Sequence, residues 1–503
     1  MTNPPTLPKA LYRSAQVRDA DHRATQLLDP AGSVLMERAG DAAWQLLRLR
    51  WPRARRIIVL CGPGNNGGDG YVLARRAHEA GFSPLVLTLE QDQVARGAAY
   101  SAQQRLLQAG VVPRAFAADL LQDVDVVVDA LFGIGLTRDV GDRAEAAIVA
   151  LNHCGAPVLA LDLPSGLHAD SGRVLGVAVR AAATLTFIGL KAGLFTGMGR
   201  EHSGALYFDD LATPAAVFDG VAPLAHRITR DDLYGLMPRR TRHAHKGDVG
   251  HVLLVGGAPG MGGAVHLAGE AAYRAGAGLV RLATHGSHAA SLAAIRPELM
   301  AHAVDSAQDL RRLLSTPSVL AVGPGLGQNA WARSLWAAAL DSPYLRVVDA
   351  DALTLLAQDP VRRDDWILTP HPGEAARLLG CSVADIQHDR FAAVREIAVS
   401  FGGVCVLKGS GTLIAHDGEA ALWLCDRGNP GMASGGSGDV LTGVIAALRA
   451  QGLSPEATAR LGVWVHASAG DAAVAETGEI GMLASDLFPY IRAGINALLD
   501  PCS

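Results

Sequence analysis

The chain has 503 residues, 49% hydrophobic and 18% charged, a globular composition too long for one core; two domains are expected, residues 1–225 and 226–503. A formal net charge of −5 supplies no field to gather nucleic acid, and no uninterrupted apolar run reaches the length of a membrane span. Six cysteines (Cys61, Cys154, Cys381, Cys405, Cys425, Cys502) form no C-x-x-C pair, and Met1 to Ala10 holds no apolar signal core. A reducing, cytoplasmic setting without disulfides or zinc is therefore expected.

In chain order, β-branched runs predict strands at Ile57–Leu60, Leu85–Thr88, Val124–Val128 and Val158–Leu161. Helical stretches lie between them, at Tyr71–Ala80 and Ala99–Ala109. The pattern lapses around Leu211–Arg230, read as a linker, and is followed by the basic run Arg239–Lys246, read as a solvated domain entrance. Strands resume at His251–Val255, Leu279–Leu282, Val319–Val322, Arg346–Val348 and Val404–Leu407. Alternation of strands and helices predicts two α/β domains with parallel sheets.

The first glycine segment, Cys61 to Gly70, satisfies G-x-G-x-x-G at Gly62, Gly64 and Gly67, with Glu90 where a ribose-binding acid would stand. Alone it reads as a dehydrogenase fingerprint. Asn65, Asn66 and Asp69 argue otherwise, since an anion cradle gains nothing from a carboxylate. Oxygen donors of this kind suit sugar hydroxyls or a hard cation; the plainer alternative is a polar turn. Asp129 and Asp162 each end a strand ahead of a glycine-bearing loop, where open α/β sheets bind ligands.

Residues 11–210 resemble the YjeF N-terminal domain, the NAD(P)H-hydrate epimerase family, through Leu35–Gly40, Asn65–Gly70, Asp129–Leu131, Asp162–Leu167, and Thr186-Phe187 with Lys191. The resemblance implies a Rossmann-like three-layer sandwich. It implies that Asn65, Asn66, Gly67, Gly68 and Asp69, with Gly133, Ile134, Gly135, Leu136, Thr137, Arg138 and Asp139, hold the hydrated cofactor. Asp162 would touch its reactive end as catalytic acid–base group. Asn66, Asp129 and Ser165 would bind potassium. Ile134 and Leu163 stand where the family commonly has Thr and Ile. Lys191 either assists the chemistry or closes a loop.

In the second half, the segment Asn429–Leu441 places clustered amides at a helix start, with Asp439 just inside. Such a turn makes an anion hole for a transferring phosphoryl group, and its carboxylate can take a proton from the attacking hydroxyl. Lys408-Gly409-Ser410-Gly411-Thr412 follows a strand but is not a Walker A loop. This set resembles the ribokinase-like superfamily and, over about 230–500, the ADP-dependent NAD(P)H-hydrate dehydratases. The resemblance implies that Ala264, Gly325, His371 and Asp439 contact the hydrated cofactor, and that Lys408 to Thr412 with Gly438 hold ADP and the AMP product. Magnesium would accompany ADP. Ser434 replaces the commoner Thr.

The expected activity is epimerisation of hydrated NADH and NADPH and ADP-dependent dehydration of the S epimer, releasing AMP and phosphate. A homo-oligomer without nucleic-acid or membrane partners is expected. The rival reading is a ribokinase-like small-molecule kinase fused to a nicotinamide-binding module.

Overall fold

Strands without polar interruption must be covered on both faces, and the β-branched runs of this chain are so covered in two sheets. The computed structural model describes residues 7–29, 33–90, 93–315 and 317–499. The chain divides into two units, Met1–His226 and Arg227–Ser503.

One sheet of the first unit has seven parallel strands: β1 (Ile57–Cys61), β2 (Leu85–Thr88), β3 (Arg114–Ala115), β4 (Val126–Ala130), β5 (Val158–Leu161), β6 (Ala183–Phe187) and β7 (Ala205–Asp209). Their order is β3-β2-β1-β4-β5-β6-β7. The chain leaves β1 in one direction and later returns to its other side at β4, so a topological switch point lies between these two strands. Helices α1 (Ser14–Leu28), α2 (Ser33–Arg50) and α3 (Asn65–Glu79) contribute Val17, Leu47 and Val72 to one core. Helix α4 (Asp142–His153) contributes Ile148 and Leu151 to a core containing the alternate strand residues Ile58, Leu60 and Val127. Two cores on one sheet make three layers.

Helix α3, expected from Tyr71, begins already at Asn65. The glycine segment is thus largely the first turn of a helix and not a loop ahead of it. A side chain at Gly67 would place Cβ 1.9 Å from the Gly62 carbonyl oxygen, so only glycine lets the helix start this close to its strand. The strands β3, β6 and β7 were not foreseen.

The second unit holds β8 (His251–Val255), β9 (Leu279–Thr284), β10 (Met300–Ala303), β11 (Val319–Val322), β12 (Leu345–Val348), β13 (Trp366–Leu368), β14 (Val404–Leu407), β15 (Thr412–His416) and β16 (Leu422–Cys425). Their order is β10-β9-β8-β11-β12-β13-β14-β15-β16, parallel as far as β14 and antiparallel thereafter. Strands β10, β13, β15 and β16 were missed. Helices α5 (Gly262–Arg274), α7 (Ser437–Ala450) and α8 (Pro455–Thr477) contribute Val265, Val444 and Leu461 to one large core; α6 (Pro372–Leu379) follows β13. Helices α5 and α7 approach so closely that a Cβ on Gly443 would lie 2.0 Å from the Ala268 carbonyl oxygen.

That approach yields a prediction. Gly443→Ala should force the helices apart and lower stability by about 1–3 kcal/mol, the usual scale of overpacking. Urea unfolding followed by tryptophan fluorescence checks it; a midpoint equal to that of the unmodified chain contradicts the packing account.

Candidate active sites

In the first unit a cavity of about 870 Å³ opens beyond the carboxyl ends of the central strands. Asn65, Asn66 and Asp69 reach it from the start of α3, and Gly133, Ile134, Gly135, Leu136, Thr137 and Arg138 from the segment after β4. Asp162 and Lys191 complete the polar floor. Gly67 and Gly68 instead pack against Gly62 and Met36, and Asp139 falls outside the lining. Glu90 is exposed and does not line the cavity either, so the dehydrogenase fingerprint lacks its acid.

Asp162 follows β5 with φ of +63°, a left-handed backbone that costs a non-glycine residue of order 1 kcal/mol. Its Oδ1 accepts from the Lys191 ammonium, from Thr186 Oγ1 at 3.3 Å and from the Phe187 amide at 3.4 Å. Lys191 is 1% exposed and also donates to the Phe187 carbonyl at 2.7 Å. A buried ammonium of this kind is retained only with partners that replace water. The structure sets Lys191 on Asp162. Burial, then the charges of Asp162 and Asp21, push the Asp69 carboxyl well above its ordinary range, Lys191 opposing. Asp21, on α1, is raised by burial and by Asp162. It was missed because one acid on an amphipathic helix is an ordinary feature of a sequence.

Asp129 is fully buried beneath this floor. It accepts from Ser165 Oγ at 2.6 Å, the Ser165 amide at 2.8 Å and the Leu131 amide at 3.2 Å. Burial still lifts its pKa to about 6, those three donors opposing. Asn66 is 7% exposed, yet neither atom of its carboxamide has a hydrogen-bond partner among the described residues. Buried polar groups are seldom left so, and an orphaned amide lining a cavity points to a ligand.

In the second unit the expected residues gather beyond β8, β11, β12, β13 and β14. Gly325 takes φ of +58°, and a Cβ there would lie 3.1 Å from that of Ala264, so these two walls touch. Gly436 caps α7 in the left-handed region and Asp439 sits in its first turn. Lys408 Nζ lies 2.8 Å from Asp349 Oδ1 and 3.7 Å from Glu374 Oε2; a Cβ on Gly438 would be 3.3 Å from it. Thr442 Oγ1 donates to the second Asp349 oxygen at 2.7 Å. His371 Nδ1 caps α6, accepting from the Gly373 amide at 2.9 Å, while its Nε2 is 3.3 Å from Glu374. Asp351 accepts from the Gly327 amide at 2.8 Å and so ties the Gly325 turn to the acids.

Burial first, then Asp349, push the Asp439 pKa up to about 7, with Lys408 opposing. Burial works against the Lys408 charge, but Asp349 and Glu374 outweigh it and its pKa is raised. The lysine therefore belongs to the acid cluster as well as to the Gly409-Ser410-Gly411-Thr412 turn. That turn is braced from below by Arg390, buried, whose guanidinium donates to the carbonyls of Leu407, Lys408 and Gly411 at 3.2–3.4 Å. Asp349, Glu374, Thr442 and Arg390 carry this arrangement, though no role in it was expected for them. A strand-end acid at Asp349 was the one available signal. Ser434 Oγ, in the glycine segment ahead of α7, is buried with no partner among the described residues.

Two family models match the chain. NAD(P)H-hydrate dehydratase covers residues 252–493, and the YjeF-related protein N-terminus covers 32–193. A bifunctional NAD(P)H-hydrate repair enzyme from Coxiella burnetii is 46% identical over 97% of this chain and 99% of its own. The corresponding enzyme of Escherichia coli is 42% identical over 98% and 95%. Among solved structures, a ribokinase-like superfamily protein from Enterococcus faecalis superposes with a TM-score of 0.50 at 28% identity, covering 55% of this chain and 96% of its own.

The acid cluster generates a prediction of its own. Asp349→Ala would leave a mostly buried ammonium without its nearest carboxylate and should destabilise the chain by about 3 kcal/mol. Asp349→Asn, which can still accept from Thr442, should lose less. Thermal melts of the two variants check the order, and equal melting temperatures would refute it.

Proposed function

From its membership in the bifunctional NAD(P)H-hydrate repair enzymes, to which the chain belongs, we propose how its two sites divide the work. The enzyme epimerises R- and S-NAD(P)H-hydrate and dehydrates the S epimer to NAD(P)H at the expense of ADP. The observation that carries this reading is Asp439: a carboxyl poised near neutrality at an amide-lined helix start, beside a buried lysine.

In the second unit Asp439 takes the proton from the C6 hydroxyl of the hydrated ring, and the hydroxyl oxygen bonds to the terminal phosphorus of ADP as the bridging P–O bond breaks and AMP leaves. The amides around Gly438 receive the charge that develops on the transferring group. The ring nitrogen's electron pair then expels phosphate to leave an iminium at C6, and loss of the C5 proton to solvent forms the C5–C6 double bond and restores the reduced nicotinamide. Lys408 to Thr412 grip the nucleotide, Lys408 also holding Asp439 back from a still higher pKa. Ala264, Gly325 and His371 seat the hydrated cofactor. Magnesium would come with the nucleotide phosphates, whose charge it would neutralise.

In the first unit, loss of the C6 hydroxyl as water and its return on the opposite face need a proton donor and an acceptor. The donor role falls to Asp69, whose carboxyl burial raises well above its ordinary range, and the acceptor role to Asp162, paired with Lys191. The segment Gly133 to Arg138, with Asn65 and Asn66, holds the remainder of the cofactor. Potassium would be held by Asn66, Asp129 and Ser165, where it would supply a fixed positive charge; the orphaned Asn66 carboxamide suits such a ligand. Among the described residues no helix is long and apolar enough to cross a membrane. The work would fall on a cytoplasmic cofactor pool and be done by an assembly of identical chains.

Three outcomes are expected. Incubation of S-hydrate with ADP should restore reduced-nicotinamide absorbance; no recovery with ADP or ATP would overturn the reading in favour of an ordinary kinase. Because Asp439 acts deprotonated, kcat should rise with pH through about 7. Lys408→Met removes the charge opposing that shift and should move the acid limb upward; an unmoved limb would exclude the coupling. Asp162→Asn should slow epimerisation by about 10²–10⁴-fold, read by chromatography of the two epimers; a rate like that of the unmodified chain would strip Asp162 of its role.

A further inference from the structure

A second cavity in the C-terminal unit, of about 920 Å³, contains none of the residues assigned above. It lies where α5 and α7 end, since Arg274, Ala275, Gly276 and Gln451 line it. Both helices begin at the catalytic cluster, and α7 spans Ser437–Ala450, so the cavity and Asp439 stand about 20 Å apart along the helix axis.

Arg239, Arg240, Arg274, Arg296 and Arg492 face this space, against Glu270 and Glu298. The excess is positive on a chain whose net charge is −5. The arginines have different employments. Glu270, 6% exposed, is held by Arg296 at 2.6 Å and Arg274 at 3.1 Å. Arg239 donates to the Leu499 carbonyl at 2.6 Å, and Arg240 to that of Gly276. The guanidinium of Arg492, on the helix Leu487–Ala497, makes no hydrogen bond or ion pair among the described residues.

Capping of helix ends explains part of this, because carbonyls at a helix C-terminus attract cations. It does not explain the number. The Gly276 carbonyl uses one of the five N–H donors on the Arg240 guanidinium, and Arg492 caps nothing. The guanidinium bonds of Arg239 and Arg240 to the Leu499 and Gly276 carbonyls also hold these heads in place, which lowers the ordering cost of a ligand. Met237, Ile495 and Leu499 add an apolar wall, and the volume falls in the range of small-molecule sites.

We propose that this cavity is a second binding site, for an organic phosphate carrying two or more negative charges, distinct from both active sites. The guanidinium forks take the phosphate oxygens pairwise and the apolar wall takes the organic part.

The test is residue-resolved, so binding at the catalytic turn does not confuse it. The full-length enzyme is treated with phenylglyoxal, alone or with millimolar tripolyphosphate or ATP, and modification of Arg240, Arg274 and Arg492 is read by peptide mass spectrometry. Both probes should slow modification at these positions. Stronger protection by ATP would place its nucleoside on the apolar wall; equal protection would mean that the phosphate chain alone is recognised. Arg492→Glu should weaken protection of Arg240 about tenfold in probe concentration, the scale for reversing one contact charge, and leave kcat for ADP-dependent dehydration at saturating substrates unchanged without probe. The proposal fails if neither probe protects, if Arg492→Glu protects equally, or if the arginines are unreactive from the start because a second copy covers them.

Discussion

A buried ammonium must have a carboxylate beside it, and each unit of this enzyme places one such pair at the carboxyl end of its sheet. Lys191 meets Asp162 in the first unit and Lys408 meets Asp349 in the second. Much else in the two sites follows from these placements. Removal of a lysine charge from water is offset only by close partners, so Thr186, Phe187, Thr442 and Glu374 gather around the pairs. Surplus acids nearby are then left short of positive charge. Asp69 and Asp439 are those surplus acids; burial first and the neighbouring acids second raise both, and Asp439, at about 7, is suited to acid–base chemistry near neutral pH.

The fold was largely legible because parallel strands buried on both faces announce themselves as apolar runs, as at Ile57–Cys61 and Val404–Leu407. Strands that depart from that signature were lost. Thr184 and Thr186 give β6 an alternation that suits a half-exposed strand, and the short Trp366–Leu368 of β13 is too brief for any period. The glycine segment misled for a related reason. Its glycines serve a close helix–strand contact at Gly62 and Gly67, which a sequence presents in the same way as a phosphate loop.

Motif-bearing residues of the sites were legible; their supports were not. Asp439 and Asp162 stand in dense local signatures. Arg390 and Thr442 act across the fold, on a turn and an acid distant in sequence, and a single sequence carries no record of such pairings. The basic run at Arg239–Arg240 was read as solvated. It is exposed, but it borders a cavity built partly from helix ends far along the chain, and only the fold makes that visible.

The left-handed backbone at Asp162 is a strain that its own ion pair holds in place. Glycine at that position would relax the chain by roughly 1 kcal/mol, yet strand the buried Lys191 ammonium at a cost of about 3–5 kcal/mol. Selection for a sturdier protein alone would therefore retain the aspartate, and variants chosen only for heat tolerance should keep the pair whether or not epimerisation is demanded of them. The carboxylate proposed for the chemistry is one that the fold itself cannot spare.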